Sequence, residues 1–175
     1  ENPENYYNSN VNGTYNLLEA ARKFKLKKFI YAASASCYGV PKKYPTNEDS
    51  KIQTEYPYAM TKYLGEKLVL DWAKIYNMNS LSLRFFNVYG PRSRTTGAYG
   101  AVFGVFLAQK LANKPLTIVG DGKQTRDFIH VKDLVEAIIK ASKSKKKGLA
   151  YNLGSGKETS VNFIAKLISN KKVSI

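Results

Sequence analysis

Two short apolar runs limit the folds open to this chain more than any other feature. FIYAA at residues 29–33 and SLSLRFFNV at residues 80–88 both read as buried strands. The first is continuous rather than alternating, as expected of a strand covered on both faces in a parallel sheet. Ahead of it, residues 5–24 repeat apolar side chains at Val11, Tyr15, Leu18 and Ala21 and end in basic residues, which predicts a helix. Between the runs lie a turn-rich segment, YGVPKKYPTNEDS at 38–50, and a second helix over 57–76. Helix, buried strand, helix, buried strand is the rhythm of a doubly wound α/β sheet.

Beyond Tyr89 the texture changes. GPRSRTTGAYG is a polar loop, AVFGVFLAQKLAN a helix, PLTIV a short strand and GDGKQT a turn. RDFIHV, KDLVEAIIKAS, LAYNLGS and SVNFIAKLISN then read as strand, helix, strand and helix. The shift predicts a second, smaller lobe over residues 89–175, after a first domain over 1–88.

With 175 residues, 43% of them hydrophobic, the chain can bury one good core or two small ones. No apolar run is long enough to cross a bilayer and no signal segment opens the sequence, so a cytoplasmic protein is expected. Cys37 is the only cysteine, which excludes an internal disulfide and a cysteine-rich metal site. His130, also alone, reads as a hydrogen-bonded structural residue. The formal charge of +15 invites a nucleic-acid reading, but lysines dominate it and the densest run, KSKKKG at 143–148, reads as a solvated loop. A positive field drawing in small anionic substrates fits better.

The stretch EYPYAMTKYLGEK places Tyr58 and Lys62 four apart on the second helix, hence on one side of it. An ammonium beside a phenol favours the phenolate, so Lys62 is expected to lower the Tyr58 pKa and make it a general base. The same spacing recurs at Tyr38/Lys42 and Tyr63/Lys67, so surroundings must decide among the three. A dinucleotide-binding sheet also needs a glycine-rich turn after its first strand, and these residues do not supply one. GSGKET at 154–159 fits neither GxGxxG nor a P-loop and reads as a turn. The chain begins without methionine inside a helical pattern, from which a missing N-terminal half is expected.

YAASASCYG, PYAMTK, LRFFNVYGPR and TIVGDGKQTRDFIHVKDL, in this order and spacing, resemble the nucleotide-sugar branch of the extended short-chain dehydrogenase/reductases. The likeness is greatest to the NAD-dependent sugar-nucleotide epimerases and runs over nearly the whole chain. It implies that residues 1–88 are the later half of an NAD-binding Rossmann domain. Residues 89–175 would be the nucleotide-sugar lobe, incomplete at its C-terminal end. Carried over, it makes Ser34, Tyr58 and Lys62 the catalytic set, with Lys62 also on the nicotinamide ribose. Ser9 and Phe86 would border the cofactor. Asn87 and Arg126 would hold the substrate diphosphate, and Ala101, Val102, Thr117 and Val119 would wall the nucleotide base.

The implied chemistry is 4-epimerisation of a UDP-hexose, glucose/galactose or the N-acetyl pair, through a 4-ketose with NAD ending unchanged. The family's 4,6-dehydratases carry Asp-Glu immediately after the serine of the set, and its decarboxylases a glutamate at the second position. Here those positions are Ala35 and Ser36. A dehydratase or decarboxylase, and a non-catalytic fragment that binds nucleic acid, are the alternative readings. The resemblance also implies a homodimer through helices 5–24 and 57–76.

Overall fold

The computed structural model describes residues 2–41, 43–95, 102–169 and 172–174. In chain order the elements are α1 (Pro3–Tyr7), a π-helical turn (Asn8–Asn12), α2 (Gly13–Lys23), β1 (Phe29–Ser34), a 3₁₀ turn (Ala35–Tyr38), α3 (Pro57–Ile75) and β2 (Ser80–Phe85). There follow β3 (Asn87–Tyr89), α4 (Val102–Leu111), β4 (Leu116–Ile118), β5 (Thr125–His130) and α5 (Val131–Lys143). The last elements are β6 (Leu149–Leu153), β7 (Glu158–Ser160), α6 (Val161–Ile168) and β8 (Lys172–Ser174).

The chain divides into two units: residues 1–86 with 136–153, and residues 87–135 with 154–175. In the first, β1, β2 and β6 form a parallel sheet with β2 in the centre. Phe29 stands opposite Ser80 and Ser34 opposite Phe85, while Arg84 faces Asn152 on β6. This corrects the expected division at residue 88. The strand LAYNL lies far along the sequence, yet it pairs with β2, and no local pattern could reveal that partner. Residues 80–88 also prove to be two strands, because β3 pairs with β5 in the second unit.

The expected helix over 5–24 is interrupted. At Asn8–Asn12 the ladder widens by one π turn, the kind of distortion that gathers at functional sites. Polar side chains take up its groups: Thr14 Oγ1 donates to Asn10 O at 2.7 Å, and Asn10 Nδ2 donates to Thr61 Oγ1 at 3.0 Å. α3 starts as a helix should, with Pro57 in its first turn after extended Tyr56.

Leu18, Tyr31, Ala33 and Val69 form the core of this unit, with Phe29, Leu68, Trp72 and Met78 packed around them. Gly65 of α3 lets the helix approach closely, since a Cβ there would lie 2.6 Å from Asn10 O. β2 is buried from Ser80 to Arg84, but β1 buries only Tyr31 and Ala33 and leaves Ala32 exposed, so the expected cover on both faces holds for β2 alone. The KSKKKG run is a loop after α5, and Lys28 Nζ holds it by donating to Ser144 O and Lys146 O at 3.0 and 2.6 Å.

The second unit has its own core of Phe106, Leu116, Ile118, Ile164 and Ala165. Val102, Phe103, Phe128, Val161 and Ile168 surround it. Here β3, β5 and β7 make one sheet and β4 pairs in parallel with β8. β7 and β8, three residues each, escape sequence periodicity because so short a run shows no repeat.

Candidate active site

Ser34 ends β1 in extended conformation, and its Oγ accepts the Ser36 N–H at 3.2 Å, which starts the 3₁₀ turn. With that acceptor position taken by the backbone, the hydroxyl proton can be directed elsewhere. Ser34 is hydrogen-bonded to Tyr58, the second residue of α3, and this bond favours the phenolate. Burial acts more strongly in the other direction and raises the Tyr58 pKa above its ordinary value. The Tyr6 ring meets the Tyr58 ring edge-on at 5.6 Å between centroids.

Lys62 is half-buried on α3. Its ammonium donates to Ala32 O at the carboxyl end of β1 and lies 4.6 Å over the Tyr31 ring. Burial lowers its pKa. The i, i+4 spacing puts the two side chains on one side of the helix, and the four-carbon arm of Lys62 reaches a carbonyl of β1.

Neither of the two other Tyr-x-x-x-Lys matches has this setting. Tyr38 is buried, its hydroxyl accepting from Arg84 Nη1 at 2.5 Å and donating to Asn152 Oδ1 at 2.8 Å, while Lys42 lies outside the described residues. Lys67 pairs with Asp71 at 3.6 Å, not with Tyr63.

The remaining expected site residues divide between the units. Ser9 is exposed in the π turn, and Phe86, whose N–H donates to Leu153 O at 3.0 Å, is half-buried; both belong to the first unit. In the second, Asn87 Nδ2 donates to Asp127 O at 2.9 Å. Thr117 is gripped by Gln109 through its N–H at 3.0 Å and its hydroxyl at 2.8 Å. Val102 packs on the core, Val119 is exposed, and Ala101 lies outside the described residues.

Arg126 is exposed, and its Nη1 donates to Thr125 O at 2.8 Å. Asp127 turns instead to the GSG turn, accepting from Ser155 N, Ser155 Oγ and Gly156 N at 2.7–2.8 Å. The amides that could mimic a phosphate cradle thus hold the chain's own carboxylate. No cluster of potential metal ligands occurs among the described residues.

Sequence reasoning missed a buried polar network. Glu66 Oε1 and Arg84 Nη2 pair at 2.6 Å, Ser82 Oγ donates to Glu66 Oε2 at 2.8 Å, and Arg84 Nη1 reaches Glu48 O at 3.1 Å. Burial opposes the charge on Arg84, but the Glu66 and Tyr38 hydrogen bonds outweigh it and raise the guanidinium pKa. The available signal was an arginine inside a strand read as buried, which demands a buried partner.

The profile of the NAD dependent epimerase/dehydratase family matches residues 1–154. The chain belongs to that family. It is 38% identical over 152 residues to the UDP-glucose 4-epimerase of Mycolicibacterium smegmatis, covering 86% of this chain and 48% of that protein. Among solved structures, a UDP-N-acetylglucosamine 4-epimerase from Methanobrevibacter ruminantium, in complex with UDP-N-acetylmuramic acid, superposes with TM-score 0.94. It shares 30% identity, covering 98% of this chain and 57% of that one. The Thermotoga maritima UDP-glucose 4-epimerase with UDP-glucose gives TM-score 0.93 at 31% identity, covering 99% and 58%. The chain therefore spans about half the length of the relatives it matches, and its α/β architecture is Rossmann-like with a smaller α/β lobe.

The family is NAD-dependent, and the residues present suit the nicotinamide-ribose end of that cofactor. An ammonium carries three donors. Among the described residues Lys62 donates to one acceptor, Ala32 O, leaving two donors for a vicinal diol. Ser34 and Tyr58 stand at the carboxyl end of β1, where ligands of doubly wound sheets gather.

Proposed function

We propose that the protein containing this chain interconverts UDP-hexoses by 4-epimerisation, with UDP-glucose/UDP-galactose or the N-acetyl pair as substrates. The observation that carries the reading is the Ser34 hydroxyl, fixed by Ser36 N and bonded to Tyr58, with Lys62 one helical turn further along α3. NAD, when bound, supplies the hydride acceptor at C4 and returns the hydride to the other face.

Tyr58 removes the proton of the C4 hydroxyl and gives it back after the 4-ketose has turned over. Ser34 steadies the phenolate by its hydrogen bond. Lys62 holds the ribose, and Ser9 and Phe86 border the cofactor. Asn87 and Arg126 bind the diphosphate, a task suited to the fork of guanidinium donors, and Ala101, Val102, Thr117 and Val119 wall the base. Ala35 and Ser36 follow Ser34 without a carboxylate, so the chain offers no acid or base there for losing water or carbon dioxide, which favours epimerisation.

Full-length protein given UDP-glucose deuterated at C4 is expected to yield UDP-galactose that retains the deuterium at C4. Release of water, or loss of the label to solvent, contradicts the reading. The same protein is proposed to be a homodimer. Tyr7, Tyr15 and Leu17 on the N-terminal helices and Met60 and Leu64 on α3 remain exposed, more apolar surface than a solvated helix pair needs. Light scattering should return twice the chain mass, and a monomer at micromolar concentration rejects the dimer.

A further inference from the structure

Tyr38 is a buried side chain that the proposed chemistry does not use. Its ring lies 5.0 Å from the Arg84 guanidinium carbon, and its hydroxyl is clamped between Arg84 Nη1 and Asn152 Oδ1. Arg84 is itself fixed by the Glu66 carboxylate of α3, and Asn152 by Glu48 and Thr46, whose groups bond its N–H and Nδ2 at 2.8 and 3.1 Å. Tyr38 therefore joins β2, β6, α3 and the loop after the 3₁₀ turn at one buried point.

Tyr38 also closes the 3₁₀ turn that begins at Ser34. Three residues lie between the clamp and Ser34. Inside that turn Ser36 N donates to Ser34 Oγ, Gly39 N donates to Ser36 O at 3.2 Å, and Gln53 N donates to Cys37 O at 2.9 Å. Gly39, at φ +61°, comes so close to Gln53 O that a Cβ would lie 2.5 Å from it, so the turn has little room to relax. The far end of a four-residue turn is thus held by a charged network while its near end holds the serine.

We propose that Tyr38 is a positioning residue: by anchoring the Ala35–Tyr38 turn to Arg84 and Asn152 it keeps Ser36 N on Ser34 Oγ and so aims the Ser34 hydroxyl at Tyr58. This rests on the functional reading above for its catalytic consequence, but not for its structural one. The turn contains the chain's single thiol, Cys37, which is 1% exposed, and its accessibility reports the turn directly.

The test uses full-length protein with Tyr38→Phe, which removes one hydroxyl and leaves the ring and the Glu66–Arg84 pair. Cys37 modification by a disulfide reagent is expected to quicken at least tenfold at native pH. kcat for UDP-hexose conversion is expected to fall about 10- to 100-fold, the scale of one hydrogen bond from a charged donor, with KM within twofold. Because Tyr38 acts through Ser34, the double variant Ser34→Ala/Tyr38→Phe should lose no more kcat than Ser34→Ala alone. A Cys37 rate within twofold of wild type, or kcat losses that multiply in the double variant, overturn the proposal. A wild-type protein without epimerase activity overturns the functional reading instead, and the Cys37 rate then decides whether Tyr38 holds the turn.

Discussion

Gly65→Ala should destabilise the protein, although glycine-to-alanine in a helix ordinarily stabilises it. In an unobstructed helix interior the change gains about 1 kcal/mol. At Gly65 the new methyl would lie 2.6 Å from Asn10 O and inside contact distance of the Tyr31 hydroxyl, where ordinary contact begins near 3.4 Å. Neither neighbour can yield freely. Asn10 O is held by Thr14 Oγ1, and Tyr31 is packed in the core with its hydroxyl donating to Lys62 O at 3.2 Å.

Overpacking of this kind costs roughly 1–3 kcal/mol, and losing the Tyr31 hydrogen bond about 1 kcal/mol more. After the propensity gain, the net loss is about 1–3 kcal/mol. Urea unfolding of this chain followed by Trp72, the one tryptophan of its 175 residues and packed on this same core, reads the change in the right unit. With a slope of about 2 kcal/mol/M the midpoint should fall by roughly 0.5–1.5 M. An unchanged or raised midpoint would refute the close approach of α3 to the π turn.

Two further outcomes follow from the same residues. Burial raises the Cys37 thiol from 9.0 to about 11 and the Tyr31 phenol from 10.0 to about 12. The folded state holds both protons more tightly than the unfolded chain. The contribution of these two groups should therefore be complete below pH 9 and decline as pH climbs from 9 to 12, and Cys37→Ala should remove the part between 9 and 11. A urea midpoint that does not move between pH 8 and 11 is incompatible with this. Lys62→Met keeps an unbranched apolar side chain but removes the ammonium over Tyr31. Full-length Lys62→Met is expected to purify without bound NAD where the wild type retains it, and equal cofactor content in both would remove Lys62 from the ribose.

Much of the first unit was legible because its signals are local. The unbroken run at 29–33, the alternation of helix and strand, and Pro57 at the head of α3 each carry structural information within a few residues. The partner of β2 was not legible, since β6 begins 64 residues after β2 ends and returns through a different unit. The π turn went unseen because Thr14 and Thr61 decide it, one from the next helix and one from α3. At the site, spacing brought Tyr58 and Lys62 to one side of α3 but could not show where a flexible ammonium would settle. It reaches Ala32 O, and burial raises the pKa of the phenol. The Glu66–Arg84–Tyr38–Asn152 network joins four distant segments, so only its arginine stood out from the sequence.

The most direct test of the account is the turnover of full-length Tyr58→Phe with UDP-hexose, which deletes the proposed base and keeps the ring. The account predicts a fall in kcat of about 10²- to 10⁴-fold, the usual contribution of a positioned acid or base, with UDP-hexose affinity within threefold of wild type. Turnover within tenfold of wild type would contradict it.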